Sequence, residues 1–386
     1  MGDTYQERIN RIQTTVNHQE PDKVPILSMI GTWAIHYAGG TIKEMEDHPE
    51  KEIDYYCEPH KKLYSDVTLS AGCVSDAKSA ECIGSASHFV SKDGATIQHK
   101  EIAPMEAGEY QELIGDPEGY IFNKMLPRKA TKLAGTTAEK YAAIKDLVDH
   151  WKVKGMMLGQ LKEKLKTDYQ LPVIVGGVAY PPLDYIFDYL RGFKGISMDL
   201  RRNQDDLVAA CEAVQPLADI LLGFQEETTA VPEFPFFGTM MHLPTFLSPK
   251  QFEKFFVPTY EKQIYQIHKR GGKLIMLLEG EWENKYDWLN SLPKDFAIGI
   301  LEGDDIFEAK KRIGDNITIA GGMPMEMLKL GKKEDCIDYA KKLVDELAPG
   351  GGYIFGSSRE LLSNYDVNVE NLIATHDFVH KYGVYK

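Results

Sequence analysis

Leu274-Ile275-Met276-Leu277-Leu278-Glu279-Gly280 is a strand-like apolar run that stops at an acid and a glycine, and its recurrence sets the fold class. Runs of the same kind follow at 296–301, 317–321 and 353–355, and one precedes it at 172–178. Longer stretches with helical spacing separate them, at 204–222, 249–270, 305–313 and 334–347. Ser248-Pro249 offers an N-cap with proline at the first helical position, and Gly271-Gly272 offers a stop. Strands alternating with helices predict a parallel sheet joined by right-handed crossovers. Nearly continuous apolar strands are buried on both faces, which suits a closed barrel and a doubly wound sheet alike.

Upstream, residues 4–20 place Ile9, Ile12 and Val16 at helical spacing among charges. Glu20-Pro21-Asp22-Lys23-Val24-Pro25 then reads as a turn feeding the apolar run 26–30, and 67–71 is a second strand candidate. Residues 83–102, with Lys92-Asp93-Gly94 in the middle, predict a β-hairpin inserted into the alternating pattern. Residues 139–165 are highly charged and helical in pattern. Without repeats, low-complexity tracts or a long linker, one domain over 1–386 is expected rather than a split near residue 150.

The bulk properties narrow the function. A length of 386 residues and a 43% hydrophobic fraction support a large core, and the 26% charged fraction is that of a soluble protein. A net charge of −14 argues against nucleic acid or an anionic membrane as the main partner. An anionic ligand would need a local basic pocket. Five cysteines (Cys57, Cys73, Cys82, Cys211 and Cys336) form no Cys-x-x-Cys pair, which suits a reducing cytoplasm. No run reads as a signal peptide or membrane span, so a cytoplasmic enzyme is expected.

Several segments, in order along nearly the whole chain, resemble the uroporphyrinogen decarboxylase superfamily. Arg11 with Glu20-Pro21-Asp22-Lys23-Val24-Pro25 is similar to its first helix, turn and strand. Phe246-Leu247-Ser248-Pro249, Phe252 and Phe255-Phe256-Val257-Pro258 are similar to the helix before a barrel strand. Ile319-Ala320-Gly321-Gly322-Met323-Pro324 with Leu328 and Gly331 is similar to the seventh strand and its loop. Pro349-Gly350-Gly351-Gly352-Tyr353-Ile354-Phe355 with Glu370-Asn371-Leu372 is similar to the eighth strand and last helix. The resemblance implies an α/β fold: a single (β/α)8 TIM-type barrel with N-terminal helices and an inserted hairpin, its site at the C-terminal ends of the strands.

Two chemistries are implied by that superfamily: decarboxylation of porphyrinogen side chains, and methyl transfer between small molecules and a corrinoid, typically with zinc. The decarboxylase branch resembles Met-Arg-Gln-Ala-Gly-Arg after its first strand, whereas this chain has Met29-Ile30-Gly31-Thr32-Trp33-Ala34-Ile35-His36-Tyr37-Ala38-Gly39, without arginine. A polycarboxylate substrate would lack its guanidinium partners. That branch's second-strand aspartate falls near Gly72 or Cys73. The methyltransferase branch is the closer resemblance, but Leu277 and Glu279 stand where its His-x-Cys zinc ligands would be, and Arg359 stands near its last cysteine. Zinc is possible only through other donors, Glu279 and His242.

The resemblance then implies an O-demethylase component that passes a methyl group from a small methylated substrate to corrinoid (cobalamin) on a separate corrinoid protein. No Asp-x-His-x-x-Gly corrinoid-binding signature occurs in the chain itself. Breaking a methyl ether leaves an alkoxide or phenolate that needs a Lewis acid or a proton. The candidate catalytic residues are Glu279 with Arg359 facing it across neighbouring strand ends, and His242 and His36 as proton donors. Trp33, Tyr37, Tyr180, Phe234, Phe236 and Phe237 are expected in loops after strands, as aromatic walls suited to a methoxylated aromatic. Gly321-Gly322 and Gly350–Gly352 read as turns. The alternatives are methyl transfer from a methylcorrinoid to a thiol, and a non-catalytic barrel that binds a tetrapyrrole or another small ligand.

Overall fold

In a computed structural model describing residues 3–72, 76–223 and 236–385, parallel strands close into a barrel. β1 (Leu27–Ser28) pairs with β2 (Val67–Thr68), and an antiparallel hairpin of β3 (His88–Val90) and β4 (Ile97–His99) follows. β5 (Val175–Val178), β6 (Phe236–Met240), β7 (Lys273–Leu278), β8 (Ala297–Leu301), β9 (Thr318–Met323) and β10 (Tyr353–Ser357) form a parallel sheet in chain order. Parallel bridges shut the ring: Thr68 meets Val173 just before β5, Ile26 meets Phe355 of β10, and Ile30 meets Leu361 further along the same seam. The choice that periodicity left open is thus resolved as a (β/α)8 barrel.

Alternation within each strand divides the apolar residues into two cores. Leu27, Val67, Ile174, Phe236, Ile275, Ile298, Ile300, Ala320 and Ile354 fill the barrel. Leu274, Met276, Ala297, Ile319, Tyr353 and Phe355 pack outward against the helices. The first helix, Tyr5–Val16, is held by a capping box between Thr4 and Glu7 and closes the barrel bottom with Ile9, Ile12 and Val16. Arg11 explains its own motif: its fully buried guanidinium donates to Asp22 Oδ1 at 2.7 Å and Oδ2 at 2.6 Å, and also pairs with Asp3 and Asp66. Asp66 in turn accepts the Ile26 N–H at 2.8 Å, so one cation ties the helix, the turn and two strands together.

The helices follow the expected pattern with local departures. Ser248 caps Pro249–Gln251 through a capping box with Gln251, but residues 252–256 widen into an i→i+5 turn before Val257–Lys269. The charged stretch is one helix, Thr137–Tyr169. The hairpin is shorter than expected, because Ile83 ends the helix Ala77–Ile83. Gly321 and Gly322 lie inside β9 rather than in a turn. No helix among the described residues is long and apolar enough to cross a membrane.

Candidate active site

The strand ends bring His242 and Glu279 together. His242 lies in the loop just after β6, between the buried Met241 and Leu243; Glu279 directly follows β7, the neighbour of β6. Glu279 Oε1 stands 3.6 Å from His242 Nε2, an ion-pair rather than a hydrogen-bond distance. On its other side, His242 Nδ1 donates to Asp188 Oδ2 at 3.0 Å. The Tyr180 hydroxyl donates to the same oxygen. An imidazole held by a carboxylate at one nitrogen has its ring orientation fixed, with the other nitrogen presented to the site.

Asp188 sits on the wide turn Phe187–Arg191, continuous with the helix Pro182–Ile186 that follows β5. Asp184, four residues earlier, is fully buried and accepts the Leu243 N–H at 2.9 Å, anchoring the His242 loop. Its Oδ2 is buried without a hydrogen-bond partner among the described residues. Burial pushes the Asp184 carboxyl up to about 8, so it is neutral at pH 7. The hydrogen bond to Asp188, reinforced by that carboxylate's charge and by Glu279, lifts His242 to about 9 despite desolvation. Glu279 is also raised, chiefly by burial, with Glu302 and Asp188 adding to it and His242 opposing.

The turn after β7 is rigid. The buried Trp282 indole donates to the Glu279 carbonyl at 3.0 Å, and its backbone N–H donates to Asp304 Oδ1 at 2.9 Å. Gly280 has φ +68°, and its N–H donates to Glu302 Oε2 at 3.2 Å. A Cβ there would lie 2.2 Å from Thr245 Oγ1, so a side chain is excluded by space as well as by conformation.

Arg359 does not face Glu279. β7 and β10 are separated by β8 and β9, and the Arg359 side chain is 55% exposed, 3.9 Å from Glu302 and 4.0 Å from Glu326. The opposing cation for Glu279 is His242. His36, on the short helix Trp33–Tyr37, is engaged elsewhere: its Nε2 contacts the Ala95 carbonyl at 2.6 Å, beneath the hairpin. Trp33 is buried and tilts against the half-buried Tyr37 at 5.0 Å between ring centres, in the loop region after β1.

Phe236 and Phe237 are not wall residues. They begin β6, at the end of the barrel away from the strand termini; Phe236 packs inside and Phe237 outside, against the positions of Gly177 and Gly272. Phe234 and Cys73 lie outside the described residues. Tyr180 keeps its place at the mouth, with Tyr189 at 5.7 Å and Tyr185 beyond it. Asp184 and Asp188 escaped sequence reasoning, although two acids spaced i, i+4 on an apolar segment after Pro181-Pro182 signal a shared helical face.

Among the described residues, no three His, Cys, Asp or Glu side chains converge as a metal-holding group. His242 and Glu279 alone do not fit a zinc held by three or four protein ligands.

Comparisons with known proteins agree with the barrel. Residues 159–382 match the family model described as uroporphyrinogen decarboxylase (URO-D). The fold is similar to the solved structure of a methyltransferase from Methanosarcina mazei, with a TM-score of 0.63 and 14% identity over 97% of this chain and 98% of that one. No curated protein matches by sequence.

Proposed function

Because the chain belongs to the uroporphyrinogen decarboxylase family, we propose that it is a methyltransferase that demethylates a small methyl ether, a methoxylated aromatic, for a corrinoid on a partner protein. The partner's corrinoid supplies the nucleophile that accepts the methyl group. What this chain supplies is the proton. As the methyl leaves, the C–O bonding pair stays on oxygen, and the phenolate formed takes a proton from His242 Nε2. With its pKa near 9, His242 is charged at neutral pH, and Asp188 holds the ring in place. Neutral imidazole then recovers a proton from solvent, to which the side chain is 33% open.

The observation that carries this reading is the Asp188–His242–Glu279 alignment over the ends of β5, β6 and β7. Glu279, whose pKa burial raises, is a second titratable group beside the same nitrogen. Tyr180, Tyr185 and Tyr189 give an aromatic side to the mouth, which suits a flat substrate. The acids at these strand ends, Asp188, Glu279 and Glu302, would repel a porphyrinogen polycarboxylate, which weighs against decarboxylation.

The test is an assay with a Co(I) corrinoid protein and a panel of methoxyaromatics, with zinc supplied and withheld, following the corrinoid's visible spectrum. Methylation with at least one substrate is expected. No methyl transfer across the panel, under either metal condition, removes the proposal.

A further inference from the structure

A cavity of about 210 Å³ opens on the barrel face opposite His242 and Glu279. It is lined by the first helix through Arg8, by the segment ahead of β2 through His60, Lys62 and Ser65, and by Tyr169 and Leu171 ahead of β5. Each of these segments precedes a strand, which places the cavity at the bottom of the barrel.

Arg8 is 9% exposed, and its hydrogen bonds among the described residues go to backbone carbonyls rather than to a carboxylate. Its Nη1 donates to the carbonyls of Tyr169 and Gln170, both at 3.0 Å, which fixes the plane of the guanidinium. No hydrogen bond among the described residues uses the Nε–Nη2 edge, and Nε is buried without a partner. The Tyr64 ring, 5.3 Å from the guanidinium carbon, offsets only part of that charge. A buried guanidinium without a counter-charge is costly, and its free edge is the two-donor fork that receives carboxylate or phosphate oxygens.

Three further groups around the cavity lack partners: the buried Nδ1 of His60 makes no hydrogen bond among the described residues, and Ser65 and Lys62 join it. Ser65 is 3% exposed and its hydroxyl makes no hydrogen bond among the described residues. Lys62 is exposed and forms no ion pair there, unlike Lys61, which pairs with Glu58 at 2.5 Å. In a chain of net charge −14, an unneutralised arginine and lysine around one cavity stand out as the local basic pocket that an anion needs.

We propose that this cavity binds a small oxyanion, with Arg8 as the two-donor anchor and Ser65 and Lys62 as side donors. Donors from separate segments suit a tetrahedral phosphate group better than a flat carboxylate. The site is independent of the methyl-transfer reading, because it lies at the other end of the barrel.

The experiment is titration calorimetry and thermal denaturation of the full chain with inorganic phosphate, with acetate and chloride at matched ionic strength as comparisons. Saturable binding of phosphate is expected, with a rise in Tm that chloride does not produce. Arg8→Gln should weaken phosphate by about ten- to a hundred-fold, the loss of charged hydrogen bonds, and Lys62→Gln by less. Equal affinity in the wild type and in Arg8→Gln overturns the proposal, as does a Tm response common to all three anions. Acetate bound more tightly than phosphate overturns the preference for a phosphate group. If Arg8→Gln does not fold, hydrogen exchange of the wild type decides: phosphate should protect amides of residues 60–65 and 169–171, and no protection there refutes the site.

Discussion

Replacing Asp188 by Asn removes a charge and keeps a hydrogen-bond acceptor for His242 and Tyr180, so it tests the electrostatics of the site with little change of shape. His242 titrates near 9 instead of 6.5 because Asp188 accepts from Nδ1 at 3.0 Å and faces it with a negative charge. At pH 7.5 a group of pKa 9 is about 97% protonated, and one of pKa 6.5 is about 9% protonated. The supply of imidazolium should therefore fall about tenfold in Asp188→Asn at that pH. The sign follows from a raised folded value: stability gained from the proton is fully present below about 6.5 and is lost as pH rises through about 9. In the wild type, the alkaline limb of methyl transfer should lie near 9; in Asp188→Asn it should move down toward 6.5, with the rate retained at pH 6. Titration of the His242 ring by NMR reads the same quantity without turnover. A His242 midpoint that stays near 9 in the variant refutes the assignment of Asp188 as the carboxylate that charges this ring.

Glu279→Gln keeps the shape of the second group beside His242 but cannot exchange a proton, and methyl transfer should drop about a hundred-fold; a wild-type rate would remove Glu279 from the chemistry. Asp184 has a folded pKa near 8 against 3.8, so between those values each pH unit costs the folded wild type about 1.4 kcal/mol that Asp184→Asn does not lose. Urea denaturation should show the variant gaining on the wild type from pH 5 to pH 8, and a pH-independent difference contradicts the buried neutral acid. Gly280→Ala should lower stability by about 1–3 kcal/mol, from the +68° φ and the approach to Thr245, with urea denaturation as the measure. Phe236→Ala should cost about 3–5 kcal/mol in the same assay, because the ring fills the barrel interior. A change in substrate choice at unchanged stability would return Phe236 to the mouth.

The sequence by itself determined the alternation of strands and helices, because burial on both faces of a parallel strand demands a continuous apolar run, and Leu274–Leu278 has one. It also determined the capped start at Ser248 and the position of Glu279, since a strand end is marked locally by the glycine after it. The tertiary structure decided closure, through the pairing of Ile26 with Phe355 and Thr68 with Val173, contacts between segments far apart in the chain. It also corrected the partners. Arg359 and Glu279 both end strands, but two intervening strands keep them from facing each other, whereas adjacency of β6 and β7 gives Glu279 to His242. Phe236 and Phe237 were legible as aromatic but not as the start of a strand, because Pro232 and Pro235 ahead of them mark a boundary without saying on which side of it the strand lies. Asp184 and Asp188 became functional candidates only when the helix after β5 laid them beside the loop after β6. Local patterns specify which residues are buried and where an element stops; which charge meets which depends on distances across the barrel, and those exist only once the ring is closed.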